Sequence, residues 1–487
     1  MATATATSTA LGRMFIDGKW VEADDKRTLG VINPATEEVI KDVAYGGRKE
    51  TRRAVEAAGK AMTSWMKLTT WDRAKVLKRT GEIMRERADQ IARTLTMEQG
   101  KPVAESKAEI LHSADTFEWF GEEGKRAYGQ IIPNSVPGKR HMTIKHPVGV
   151  VGAISPWNFP ITLQARKIAP ALAAGCTIVC KPATQTPLCL IQLFEYMVEA
   201  GLPAGVANLV IGSAQEIADE FMENPIVRKV SFTGSTEVGK QLMKAAADQM
   251  KRVSLELGGH APFIVFPDAD PEIGAKIAVT GKFRNNGQVC IAPSRFYVHK
   301  DVQKKFTEAS VEFAKQLKLG NGLDAGIEVG PMFEKKAMDN TLNLVEDARK
   351  RGAKILTGGK RSDRFDKGYF FEPTVLTNIH GEMKMMTEEP FAPVMPVLDF
   401  AKLDDVIRAA NNTRYGLAAY VFTNDLTVAW KMAEGLEAGI IGVNDPVPST
   451  PQCPFGGMKE SGLGRELAHE GLEAYLETKY VSIKLRD

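Results

Sequence analysis

Cys290 closes the stretch Phe283-Arg284-Asn285-Asn286-Gly287-Gln288-Val289-Cys290, in an apolar setting just after a Gly-Gln turn signal. A thiol on a tight turn is open to incoming substrate, and a nearby base or helix N-terminus raises its thiolate fraction. Upstream stands Glu256-Leu257-Gly258-Gly259, a carboxylate between apolar residues and paired glycines. Burial raises such a carboxyl's pKa and makes it a usable base near neutral pH. Pro156-Trp157-Asn158-Phe159-Pro160 offers a side-chain amide on a rigid Pro-flanked turn, a candidate donor to an oxyanion. Alone, Cys290 reads as a buried structural thiol and Glu256 as a solvated or salt-bridged carboxylate.

These groups need a scaffold, and the chain is long enough to supply one. Its 487 residues predict two or three domains, with the 44% hydrophobic and 25% charged content of a soluble globular protein. A net charge of +3 argues against nucleic acid or a membrane as the main partner. Cys176, Cys180, Cys189, Cys290 and Cys453 form no regular disulfide framework, and Cys176-x3-Cys180 lacks the second pair a zinc site needs. No metal is expected, and reduced thiols indicate a cytoplasmic setting. The other four cysteines read as core or cleft residues. The first dozen residues are low in complexity and lack the apolar core of a secretory signal, so they read as a disordered tail. No apolar run reaches transmembrane length.

Phe15-Ile16-Asp17-Gly18-Lys19-Trp20 reads as a hairpin with an Asp-Gly turn. Helical spacing runs from Arg48 to Gln99, and a further helix from Ala104 to Gly121. Ile131 to Lys145 reads as two extended segments around Pro137-Gly138, a candidate subunit contact. From Val148 onward strands alternate with helices: strands at 148–154, 177–181, 206–210 and 230–233, helices at 163–174 and 187–200. The alternation continues through strands at 262–266, 295–298, 375–376, 394–397 and 419–422. Such alternation predicts parallel βαβ units in doubly wound sheets. The last strand, 479–484, is expected to pair with the hairpin of another subunit.

Phe232-Thr233-Gly234-Ser235-Thr236-Glu237-Val238-Gly239 follows a strand and opens a helix. Backbone N–H groups at a helix start hold a phosphate, and Ser235 or Thr236 can cap it. It is not the GxGxxG fingerprint, and by itself it also reads as a plain strand-to-helix turn. Lys181, at the C-terminal end of a strand beside a sheet's crevice, is placed for cofactor binding.

Cys290, Glu256 and Asn158 with their motifs, in this order, resemble the aldehyde dehydrogenase superfamily, from about Met14 to the end of the chain. The resemblance implies an α/β fold: a Rossmann-type cofactor domain, a second α/β catalytic domain and a small β oligomerisation hairpin. It places a disordered tail at 1–12, the NAD(P)-binding domain at 13–129 and 148–257, and the catalytic domain at 258–442. An oligomerisation segment follows at 130–147 and 473–487, with a return segment lining the cleft at 443–472. It implies a cysteine thioester mechanism in which Asn158 and the Cys290 N–H hold the oxyanion and Glu256 activates water, with Lys167 and Glu466 in proton relay. Ile154, Ser155, Pro156, Trp157, Lys181, Thr184, Gly234, Ser235, Thr236, Gly239 and Leu257 then contact the cofactor. Glu389 and Phe391 position its nicotinamide end. Family members strict for NAD often carry glutamate where Thr184 stands, so NADP is favoured over NAD. Ala392 stands where the family usually has glycine, and His260 where it has lysine or asparagine.

Arg284 and Arg166, in reach of the same cleft, suit a carboxylate at the substrate's far end. With Ser449 and Thr450 they resemble the succinate-semialdehyde dehydrogenase branch and imply succinate semialdehyde as the aldehyde. That branch commonly carries a second cysteine two after the nucleophile; here it is Ala292. The departure leaves open glutarate semialdehyde, 2-oxoglutarate semialdehyde, a sulfonated aldehyde or a small hydroxyaldehyde. Readings from other classes are a CoA-dependent acylating enzyme and a non-catalytic scaffold protein. The expected partners are the small-molecule aldehyde and further copies of the chain as a homodimer or homotetramer.

Overall fold

The computed structural model describes residues 10–486. Residues 1–9 of the expected tail lie outside them. Residues 10–12 are packed: Ala10 is buried, and the Gly12 carbonyl accepts from the Ala44 N–H at 2.7 Å.

The alternating pattern of the first half builds one sheet. Its strand order is Lys19–Val21, Met14–Ile16, Ala207–Leu209, Thr177–Lys181, Val150–Ile154, Val227–Thr233, Arg252–Glu256 and Gly462–Leu463. The five central strands are parallel, and antiparallel strands close both edges. Val150–Ile154 and Thr177–Lys181 are buried throughout, as strands covered on both faces must be. In the 14–21 hairpin Asp17 and Gly18 both have positive φ, 52° and 76°, the geometry that matches the twist of its strands.

Val150–Ile154 comes first among the parallel strands and lies between the second, Thr177–Lys181, and the fourth, Val227–Thr233. The winding reverses there. In open α/β sheets the crevice at such a reversal, beyond the strands' C-terminal ends, is where ligands bind.

The second sheet runs Lys354–Thr357, Thr374–Thr377, Val394–Phe400, Pro293–His299, Ala261–Val265, Ala418–Phe422 and Ile440–Val443. Only its first strand is antiparallel to its neighbour. The helical spacing of 48–99 resolves into Arg48–Lys67, Thr70–Glu86 and Ala88–Gln99. The first break falls where Thr69 turns to cap the second helix, accepting from the Asp72 N–H at 3.2 Å. Gly100, at φ 98°, ends the third.

The last strand departs from expectation. Leu476–Lys484 pairs antiparallel with Lys139–Pro147 of its own chain, in register over nine residues, and Ile131–Ile132 pairs on the other side. The short helix Ala468–Glu473 delivers the chain directly to that edge. The outer edge of Leu476–Lys484 has no strand partner among the described residues, and Tyr480, Ile483 and Leu485 are exposed along it. Among the described residues no helix is long and apolar enough to cross a membrane, and no His, Cys, Asp and Glu cluster could hold a metal ion.

Candidate active site

The site lies between the two large sheets and is held by buried polar side chains from four segments. Helix Pro160–Ala174 is buried along its whole length. Its N-cap residue, Phe159, offers no side-chain acceptor, so the cap comes from elsewhere. Glu109, on helix Val103–Glu123, accepts from the Ile161 and Thr162 N–H groups at 3.0 and 3.2 Å through Oε1. Its Oε2 accepts from Lys101 Nζ at 2.6 Å. Lys101 also donates to the Asn158 carbonyl at 2.7 Å, which fixes the turn carrying the Asn158 amide.

The thiol's turn is set by three consecutive left-handed residues, Asn285, Asn286 and Gly287, at φ 46°, 56° and 72°. Asparagine tolerates this region through its short polar side chain, and glycine has no steric cost there. Asn285 Nδ2 donates to the Asn158 carbonyl at 3.0 Å and to the Gln288 carbonyl at 3.2 Å. Gln99 Nε2 donates to Asn285 Oδ1, and Gln288 Oε1 accepts from the Phe333 N–H, both at 2.9 Å. Asn158 Nδ2 donates to the Gln288 carbonyl at 3.2 Å, so the amide and the thiol's loop are directly joined. Gly259 meets the carbonyl of Cys290 so closely that a Cβ there would lie 2.3 Å from it.

Cys290, Asn158, Arg166, Arg284 and Ser449 line one cavity of 230 Å³, walled by Phe159, Leu163, Val289, Ile291 and Phe455. Arg166 Nη2 donates to Ser449 Oγ at 2.8 Å, and its guanidinium lies 4.1 Å from the centre of the Phe455 ring. The Arg284 guanidinium sits 5.2 Å from the Phe159 ring centre. Thr450 is not among the lining residues; its hydroxyl is buried without a partner.

Glu256 ends its strand beside this cavity, 4% exposed, with Oε2 unpartnered. Burial pushes its carboxyl well above the carboxylate range, the charge of Glu466 adds to that, and Lys167 and Arg166 pull it back. Lys167 Nζ is bound to Glu466 and donates to Thr233 Oγ1 at 2.7 Å.

The thiol corrects the expectation of a raised thiolate fraction. Burial, then the charges of Glu389 and Glu256, push Cys290 up to about 12, against the pull of Arg166 and Arg284. No helix N-terminus supplies the expected help: Cys290 follows a turn, not a helix start. Of the remaining cysteines, Cys176, Cys180 and Cys189 are core, whereas Cys453 is exposed rather than buried in core or cleft.

The cofactor candidates gather at the reversal of the first sheet. Ile154 pairs with Lys181 on one side and Phe232 on the other, which sets Ser155, Pro156 and Trp157 beside Lys181 and Gly234. The Ser155 N–H donates to the Lys181 carbonyl at 3.1 Å. Burial brings the Lys181 ammonium down to about 8, and Thr184 follows on the same turn. Ser235 caps helix Thr236–Ala247, which carries Gly239, by accepting from the Val238 N–H. Gly239 packs under Leu257, whose side chain would meet any Cβ there at 2.5 Å. Glu389 Oε1 accepts from the Gly259 N–H at 3.0 Å, and burial raises its carboxyl to about 7. The Phe391 ring stands edge-on to Trp157, 5.7 Å between centres. A helix start, a lysine and a paired aromatic floor at a reversal point fit a dinucleotide's phosphates, ribose and ring.

Two departures resolve without touching this set. Ala392 has no positive φ, so alanine fits where glycine is usual. His260 is buried behind the cleft, its Nε2 3.2 Å from the Met385 carbonyl and its ring edge-on to Tyr415.

Sequence reasoning missed Lys101, Glu109, Asn285 and Gln288, which hold the site, and His112, which lines the cavity. Glu105, Glu109 and His112 are spaced at i, i+4 and i+7, one face of their helix, and that spacing was the available signal.

A doubly wound dinucleotide-type sheet facing a cysteine-bearing cleft defines an oxidoreductase scaffold. The family model described as "Aldehyde dehydrogenase family" matches residues 20–481, and the chain belongs to that family. It is 48% identical over 471 residues to the glutarate-semialdehyde dehydrogenase of Pseudomonas putida, covering 97% of both chains. It is 46% identical to the NADP(+) succinate-semialdehyde dehydrogenase of Escherichia coli, again covering 97% of each. The crystal structure of an NADP-dependent enzyme of E. coli superposes with a TM-score of 0.97 at 45% identity, covering 99% of this chain and 100% of that one.

Proposed function

We propose that the chain oxidises succinate semialdehyde to succinate with NADP or NAD, NADP favoured. The observation that carries the substrate is the placement of Arg166, Arg284 and Ser449 on the walls of the cavity holding the Cys290 thiol. Two guanidiniums desolvated in one pocket bind a carboxylate more strongly than they would in water, and outweigh the carboxylates of Glu105 and of Lys101-paired Glu109 that also line it. Glutarate semialdehyde, one methylene longer, is the second reading, favoured by the relative from P. putida.

In the proposed mechanism the Cys290 thiol gives its proton to water in the cleft as its sulfur bonds to the aldehyde carbon. The oxyanion is held by the Asn158 amide and the Cys290 N–H. A nicotinamide cofactor, when bound, would supply the hydride acceptor for this carbon, leaving a thioester on Cys290. Glu256 takes a proton from water, the hydroxide adds to the thioester, and the C–S bond breaks to release the acid and the thiolate. Lys167 and Glu466, bonded to one another behind Glu256, give the proton a way out. Lys181, Ser235, Thr236, Glu389 and Phe391 hold the cofactor. A neutral Thr184 beside Lys181 leaves room and positive charge for a 2′-phosphate. The presence of Glu256 supports hydrolysis over transfer to CoA.

In this reading 13–129 with 148–257 serve the cofactor, 258–442 the nucleophile, 443–472 return to line the cleft, and 130–147 with 473–487 serve assembly. The unpartnered edge at 476–484 supports a homodimer or homotetramer, and reduced cysteines support a cytoplasmic setting.

The test is absorbance of reduced nicotinamide over aldehydes with and without an acid tail, with each cofactor, for wild type and Arg284→Ala. A raised KM for succinate semialdehyde in the variant, with neutral aldehydes unaffected, supports the acid pocket. Equal use of acid-tailed and neutral aldehydes by the wild type refutes it.

A further inference from the structure

His112 lines the same cavity as Cys290, Arg166 and Arg284, and nothing in the protein uses it. Its Nε2 is buried without a hydrogen-bond partner, and so is Arg166 Nε, so these two nitrogens do not satisfy each other. Buried polar atoms are otherwise nearly always paired, and two unpaired nitrogens on residues that line a single cavity mark where a ligand's polar atoms belong.

We propose that His112 is a specificity-determining residue, whose imidazole N–H donates to the carboxylate at the far end of the aldehyde beside Arg166 and Arg284. The inference rests on the acid-tailed substrate proposed above and adds a third donor to it. A carboxylate carries about four lone-pair sites, and because Arg166 Nη2 is already donating to Ser449 Oγ, the two guanidiniums do not fill them all. A third cation in so small a cavity would repel the two already there, whereas a neutral imidazole donates without adding charge. His112 is neutral for this reason: burial, Arg166 and Arg284 hold it down to about 4, with Asp115 pulling the other way. The helix places it well for this: Glu109, one turn back, is fixed by Lys101 and by the two N–H groups it caps, so His112 sits on a rigid face.

The experiment compares His112→Leu, which removes the donor, with His112→Gln, which keeps an N–H there. KM and kcat are read for succinate semialdehyde, glutarate semialdehyde and butanal. The leucine variant is expected to raise KM for both acids about tenfold or more with kcat within about twofold, leaving butanal unchanged, and the glutamine variant to recover most of that loss. An unchanged KM for the acids in the leucine variant, while wild type still prefers acids over butanal, overturns the role of His112 and leaves the acid pocket standing. No preference for acids in the wild type overturns both. Nitrogen-15 histidine spectra of wild type give a reading that needs no apolar variant. Adding glutarate must move the His112 ring resonance, assigned by its absence from the glutamine variant, and an unmoved resonance overturns the proposal.

Discussion

Lys101 Nζ donates to the Asn158 carbonyl at 2.7 Å from a side chain that is fully buried and paired with Glu109. One ammonium thus joins the helix bearing Glu109 to the turn bearing the oxyanion donor. Lys101→Met leaves the Glu109 carboxylate buried without its cation, held only by the Ile161 and Thr162 N–H groups, a loss of up to roughly 3–5 kcal/mol by analogy with broken buried pairs. It also frees the Asn158 turn. The expected outcome is a lower Tm together with a fall in kcat. Lys101→Met combined with Glu109→Gln should recover much of the Tm but not kcat, because the Asn158 carbonyl still lacks its donor. Full recovery of kcat in the double variant would show that the pair serves stability alone.

Glu256→Gln separates the two halves of the proposed reaction. The amide keeps the volume and cannot take a proton from water. A first turnover of reduced nicotinamide equal to the enzyme present should persist, followed by a steady rate lower by about 10²–10⁴. Loss of the first turnover itself would place Glu256 in acylation instead.

The βαβ alternation that organises the first sheet was legible because buried parallel strands such as Val150–Ile154 and Thr177–Lys181 have apolar centres and lie between helices. Cys290, Glu256 and Asn158 stand beside Gly and Pro turn markers, but each signal was weak alone, and it was their resemblance, in this order, to the aldehyde dehydrogenases that singled them out. The supports were not legible. Lys101 looks like a residue after a helix break, and only tertiary packing gives its ammonium a carbonyl and a carboxylate at once. The thiol's environment was misjudged for the same reason: Glu389 lies far from Cys290 in sequence, yet it is the charge that most raises it. The pairing of Leu476–Lys484 with its own hairpin depended on where Ala468–Glu473 releases the chain, which no local pattern encodes.

Gly287 tests the turn itself. It holds φ 72°, and a Cβ there would lie 2.2 Å from the Ala392 carbonyl. Gly287→Ala therefore adds backbone strain of roughly 1–3 kcal/mol to an overlap of roughly 1–3 kcal/mol. Because Ala392 adjoins Phe391, relief of the overlap moves the proposed nicotinamide contact as well as the thiol. The expected result is a fall in Tm with a raised KM for the cofactor. Wild-type Tm and kinetics in this variant would mean that the turn yields elsewhere at little cost.

The free thiol's reactivity should follow its unfavourable surroundings. A group raised to about 12 is almost wholly protonated across the neutral range. Its thiolate fraction, and hence alkylation by the neutral reagent iodoacetamide, grows about tenfold per pH unit with no plateau below pH 10. Glu389 refines the slope, since its carboxyl titrates at about 7. As it ionises it pushes the thiol further up, so the rise is shallower through pH 6–8 than above it. Glu389→Gln removes that charge and should both steepen the low-pH limb and speed alkylation at pH 8. Arg166→Met removes an opposing cation and should slow it. Cys290→Ser supplies the background from exposed Cys453. A plateau near pH 7 in the wild type would mean that the thiol is activated before any cofactor or substrate arrives. Its absence assigns that activation to the bound ligands, with Arg166 and Arg284 holding the residual bias toward thiolate.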